Sequence, residues 1–128
     1  MADAHPTYRI LLVDDSKMNL MVLKAHLKNL GFPDVALAAD GQEALQILRD
    51  PAIPPFDLVF TDLWMPNLDG EGLVRAIRSD PKLASLRVVV VTADVELRAN
   101  PDTIPCDAIL YKPVTSAKLA NLLAAPAS

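Results

Sequence analysis

Acidic residues recur at the ends of apolar runs in this sequence. Asp14 and Asp15 follow Ile10-Leu11-Leu12-Val13, and Asp62 follows Leu58-Val59-Phe60-Thr61. Two further runs end in other polar groups, Val88–Val91 in Thr92 and Asp107–Tyr111 in Lys112, with Pro113 next. If the runs are neighbouring parallel strands, four segments deliver carboxylates, a hydroxyl and an ammonium to one sheet edge, where ligands of open α/β sheets bind. Three carboxylates against one ammonium leave about −2 of charge, which repels itself unless a cation joins it. Oxygen donors without His or Cys favour a hard divalent ion, Mg2+ first and Mn2+ as a substitute. A carboxylate beside such an ion serves as a nucleophile toward a phosphoryl group and becomes an aspartyl phosphate. Thr92 and Lys112 would then hold the phosphoryl oxygens that the metal leaves free.

The elements that must position these groups alternate along the chain. Tyr8–Val13 reads as a strand buried on both faces. From Ser16 the period changes: Leu20, Leu23, Leu27 and Leu30 recur at helical spacing, and Gly31 ends the run. Asp34–Ala38 is a weak strand, and Asp40 caps a helix that carries Ala44, Leu45 and Leu48. Pro51, Pro54 and Pro55 mark a loop before the strand Asp57–Thr61. Gly70–Ser79 is a helix with Leu73, Val74 and Ile77 inward, Val88–Val91 the most β-prone run, Asp107–Tyr111 a fifth strand, and Ser116–Ala124 a last helix. Five strands alternating with helices predict a doubly wound α/β fold, its parallel sheet covered by helices on both faces because βαβ crossovers are right-handed.

The composition limits what this domain does. A chain of 128 residues holds one ordinary domain, and 52% hydrophobic content is too much for a disordered one. Twelve Lys and Arg against sixteen Asp and Glu give a net charge of −4, so nucleic acid is not an expected direct partner. The single cysteine, Cys106, forms no internal disulfide, which fits the cytoplasm, and no apolar run is long enough for a membrane helix.

Together, Val13-Asp14-Asp15-Ser16, Asp62-Leu63-Trp64-Met65-Pro66-Asn67-Leu68-Asp69-Gly70, Val91-Thr92-Ala93 and Tyr111-Lys112-Pro113 resemble the CheY-like receiver domain of two-component response regulators. Thirty residues separate Asp62 from Thr92, as in that family. The resemblance covers residues 8–124, leaving 1–7 and 125–128 as a disordered leader and tail. It implies a flavodoxin-like sheet of order 2-1-3-4-5. It makes Asp62 the phosphoacceptor, Asp15 a direct metal ligand, Asp14 a ligand largely through water, and the backbone carbonyl of Trp64 a further ligand for Mg2+. It also makes Lys112 the partner of the acceptor, Thr92 the switch, and Lys112–Pro113 a cis peptide. The implied protein is a signalling switch and not a metabolic enzyme. It catalyses its own phosphorylation and dephosphorylation, taking its phosphoryl group from a histidine kinase or a histidine phosphotransfer domain and passing the signal to a downstream protein. Asp14–Asn19 and Ala39–Leu45 resemble receivers of hybrid histidine kinases and phosphorelays in particular.

Two features depart from the family pattern. Ile109 stands where an aromatic switch residue is usual, and only twenty residues separate Thr92 from Lys112, with Pro101 and Pro105 among them. One or two helical turns at most are expected around Asp94–Ala99. A constitutive binding module without phosphotransfer is the alternative that these departures favour. An Mg2+-dependent aspartyl phosphatase of the haloacid dehalogenase type would need an acid where Trp64 stands, and a flavodoxin-type flavin site would not place Asp14 and Asp15 in its phosphate loop. Trp64, Met18 and Met21 are expected to pack, His26 to play no phosphodonor part, and Cys106 to be inert.

Overall fold

The computed structural model describes residues 8–65, 67–93 and 103–124. The expected leader, the tail and the helical turns around Asp94–Ala99 lie outside the described residues. The described strands are β1 (Ile10–Val13), β2 (Val35–Ala38), β3 (Leu58–Asp62), β4 (Arg87–Thr92) and β5 (Ala108–Tyr111). The described helices are α1 (Lys17–Asn29), α2 (Gly41–Arg49), α3 (Gly70–Ser79) and α4 (Ser116–Ala124).

All strand pairs are parallel and the order is β2-β1-β3-β4-β5, as the resemblance implies. Alternation along the strands divides the core into two layers. Leu11, Val13, Val59, Val88 and Val90 face α2 and α3, where Ala44, Leu73, Val74 and Ile77 are buried. Ile10, Leu12, Leu58, Phe60, Val89 and Val91 face α1 and α4, where Leu20, Leu27 and Leu119 are buried. Both faces of β1 and β3 are therefore covered, which is why those runs are apolar without alternation. The edge strand β2 is half-buried except at Ala38, which accounts for its weak sequence signal.

Local chemistry sets the ends. Ser16, Asp40 and Asp69 cap α1, α2 and α3, each accepting from the backbone N–H three residues on. Past α1, Gly31 takes φ 96°, a left-handed conformation that glycine adopts without steric cost. The observed elements start or stop within about two residues of the predicted ones, the usual fraying of element ends.

Two packing expectations are corrected. Met18 and Met21 are 75% and 61% exposed. At about 100° per residue, both lie on the side of α1 opposite the stripe of Leu20, Leu23, Leu27 and Leu30. Trp64 is 64% exposed, because it sits in the loop after β3 beyond the reach of either core layer.

Candidate functional site

The parallel order brings the ends of β1, β3, β4 and β5 side by side, and the predicted residues converge there. One carboxylate oxygen from each of Asp14, Asp15 and Asp62 lies within 4.8 Å of the other two. Lys112 Nζ stands 3.4 Å from Asp62 Oδ1, across fifty residues of sequence. The ammonium is available there because β4 carries β5 to the same edge, with Lys112 N–H donating to Thr92 O at 2.9 Å. The Lys112–Pro113 peptide is cis.

The three carboxylates differ in their surroundings. Asp14 Oδ1 accepts from the Ser16 N–H at 2.9 Å, while the Asp14 N–H donates to Ala38 O at 3.1 Å. Asp15 is exposed and Asp62 is half-buried, with its side chain 13% exposed. Burial pushes the Asp62 carboxyl above its ordinary range; the Lys112 ammonium opposes that shift and the Asp14 charge adds to it. A carboxylate held in this way keeps its nucleophilic oxygen poorly solvated, and a bound cation would favour its ionised form.

Thr92 is buried at the end of β4, 1% exposed, and Thr61, one residue before Asp62, is buried and donates through Oγ1 to Asp62 O at 2.9 Å. Among the described residues no buried side-chain N or O atom is left without a hydrogen-bond partner. The oxygen-only donor set and its spacing fit a hard divalent cation, which tolerates retained waters beside a few carboxylates.

A cleft of about 260 Å3 adjoins these residues. Met18, Val22, Leu23 and His26 of α1 line it together with Pro113 and Val114. His26 Nδ1 is 2.7 Å from Ser116 Oγ and so ties α1 to α4, a structural contact. Cys106 is half-buried and burial pushes its thiol up, away from the reactive thiolate.

Sequence reasoning overlooked Gly70. Its N–H donates to Leu63 O at 2.8 Å, and a Cβ there would stand 2.2 Å from Asp62 O. Only glycine lets α3 start this close to the strand end that presents Asp62. The signal was present in the Asp69-Gly70 pair, a capping residue followed by a residue with no side chain.

Comparison with known proteins agrees with this geometry. The sequence family described as the response regulator receiver domain matches residues 10–124. The chain is 33% identical over 117 residues to the chemotaxis protein CheY-3 of Vibrio cholerae, covering 90% of this chain and 88% of the relative. It is 38% identical over 125 residues to the two-component response regulator ORR41 of Oryza sativa, covering 94% and 95%. Among solved structures, the receiver domain of the sensor histidine kinase PA1611 from Pseudomonas aeruginosa superimposes with TM-score 0.78 at 31% identity, covering 91% of this chain and 93% of that one. That structure is described with a magnesium ion coordinated in its active site cleft. With the strand order, the carboxylate cluster and the Lys112 ion pair on the same sheet edge, the chain belongs to the response regulator receiver domain family of two-component signalling.

Proposed function

We propose that this chain is a phosphorylation-dependent switch that accepts a phosphoryl group on Asp62 from a phosphohistidine, with Mg2+, or Mn2+ in its place, held by Asp14, Asp15, Asp62 and the backbone carbonyl of Trp64. The observation that carries this reading is the convergence of three carboxylates within 4.8 Å on an acceptor that also faces Lys112 at 3.4 Å. When bound, the cation neutralises the carboxylates and the incoming phosphoryl oxygens. Asp62 attacks phosphorus as the P–N bond to the donor imidazole breaks, and the bonding electrons leave with the ring nitrogen. Lys112 orients the phosphoryl group, and Thr92 moves toward its oxygen as the switch. Apart from this transfer and the hydrolysis of the aspartyl phosphate to free carboxylate and inorganic phosphate, the chain performs no catalysis in this reading.

The donor is a histidine kinase or a histidine phosphotransfer domain, docked on α1. Met18, Met21 and Val22 support that docking face: they are 75%, 61% and 51% exposed, and Met18 and Val22 border the cleft beside the acceptor. Receivers of histidine kinases are among the similar structures, in keeping with the phosphorelay subclass. The domain spans 8–124 in this reading, acts in the cytoplasm and hands the signal to a protein, with no direct nucleic-acid contact; the net charge of −4 supports the last point. Incubation with phosphoramidate, followed by intact-mass measurement, tests the assignment. One phosphoryl group is expected with Mg2+, none with a chelator and none in Asp62→Asn. Equal labelling in the variant would overturn the acceptor, and labelling that survives chelation would overturn the cation.

A further inference from the structure

Both carboxylate-bearing segments are tied to a turn that adds no carboxylate to the cluster, Ala38–Gly41 between β2 and α2. On one side, Ala38 O accepts from the Asp14 N–H at 3.1 Å. On the other, Asp40 Oδ2 accepts from Asn67 Nδ2 at 2.7 Å, and the Gly41 N–H donates to Leu68 O at 3.1 Å. Asn67 and Leu68 belong to the loop that leaves Asp62 and carries Trp64. The contact is close, since a Cβ on Gly41 would stand 2.5 Å from Leu68 O. Asn67 has φ 67°, in the left-handed region that asparagine and glycine tolerate. The turn is braced by two further hydrogen bonds: Asp40 Oδ1 accepts from the Glu43 N–H at 2.8 Å, and Glu43 Oε1 accepts from the N–H of Ala39, the residue before the cap, at 3.0 Å.

We propose that Asp40 is a positioning residue for the cation site, holding the Trp64 loop through Asn67 at the spacing from Asp14 and Asp15 that a divalent ion requires. This rests on reading the carboxylate cluster as a cation site. Mg2+ demands near-ideal geometry at about 2.0–2.1 Å, so a loop released by a few tenths of an ångström binds it less well. Partners behind the ligands of metal sites are typically worth about 10–100-fold in affinity. One exposed hydrogen bond belongs at the lower end of that range.

Two substitutions separate this role from helix capping. Asp40→Ser keeps a capping oxygen for α2 and is too short to reach Asn67. Asn67→Gly keeps the left-handed backbone and removes the amide. Calorimetric titration with Mg2+ alone is expected to show each variant weakened about 10-fold and the double variant no weaker than either. Phosphoramidate labelling at saturating Mg2+ is expected to return to the wild-type rate. Affinities within twofold of wild type would overturn the proposal, as would single effects that multiply in the double variant. If wild type itself binds no Mg2+, the cation-site reading fails and this proposal with it. Hydrogen exchange in metal-free protein reads the clamp separately: faster exchange of the Gly41 amide is expected in both variants, and unchanged exchange would show that Asp40 does not hold the loop.

Discussion

Replacing Asp62, the proposed acceptor, should stabilise the metal-free protein. Asp62 is held beside Asp14 and Asp15, each offering an oxygen within 4.8 Å, and beside Lys112 at 3.4 Å. At an effective dielectric constant of about 20, the Lys112 attraction is about 5 kcal/mol and each carboxylate repulsion at least about 3.5 kcal/mol. Asp15 is exposed and its contribution is screened. The charge terms therefore nearly offset one another, and it is the burial of Asp62 that leaves a net cost against its ionised form, on the order of 1–2 kcal/mol. Asp62→Asn removes the charge and keeps an oxygen that accepts from Lys112. For a domain of 128 residues that gain is a rise in Tm of about 4–8 °C in chelator at pH 7. The pH dependence follows from the raised acceptor. In the window between the ordinary carboxyl value of 3.8 and the higher folded value, the native state holds more protons than the unfolded chain. Wild-type stability therefore falls as pH rises through that window, and the advantage of the variant shrinks as pH is lowered toward 4. Saturating Mg2+ should reverse the order, since about 100 Kd of a ligand that binds only the native state adds about 2.7 kcal/mol to wild type. Calorimetric scans of both proteins, with chelator and with Mg2+ at several pH values, check this. A variant no more stable than wild type in chelator at pH 7 would refute the electrostatic reasoning.

Further outcomes are expected at neighbouring positions. Lys112→Ala should tighten Mg2+ binding, by removing the cation nearest the carboxylates, while slowing phosphoramidate labelling by about 10-fold or more; titration and timed mass measurement read the two effects apart. Trp64→Ala should leave the Mg2+ affinity within twofold, because the proposed ligand is a backbone carbonyl and the ring is 64% exposed; a larger loss in calorimetry would show that the ring orders the loop. Gly70→Ala, whose Cβ would meet Asp62 O at 2.2 Å, should cost about 2–3 kcal/mol in urea unfolding and weaken labelling by moving the acceptor strand. Arg78→Ala should cost about 2–4 kcal/mol by the same measurement, since that guanidinium donates to Ala84 O, Leu86 O and Pro105 O and pairs with Asp107 at 2.7 Å.

Much of this protein is determined by sequence alone. Runs such as Leu58–Thr61, apolar without alternation, identify strands buried on both faces, and residues with special backbone or capping roles, Ser16, Asp40 and Gly31, mark helix ends. Those are local properties, set by period and by hydrogen bonds that span a few residues, so they are legible in order along the chain. The grouping of Asp14, Asp15, Asp62, Thr92 and Lys112 was also legible, because a parallel sheet sends every strand's carboxyl end to one edge. What only the tertiary structure decided is where surfaces and distances fall. Met18 and Met21 look like core by residue type, yet the angular position of the leucine stripe turns both to solvent, Met18 at the border of the cleft. The clamp from Asp40 to Asn67 joins residues 27 apart in sequence, and neither type nor spacing points to it. Nor does the sequence show how nearly Lys112 offsets the carboxylates. That balance depends on a 3.4 Å approach and on how much water reaches Asp62, both of which arise only when β3 and β5 are carried to the same edge by β4.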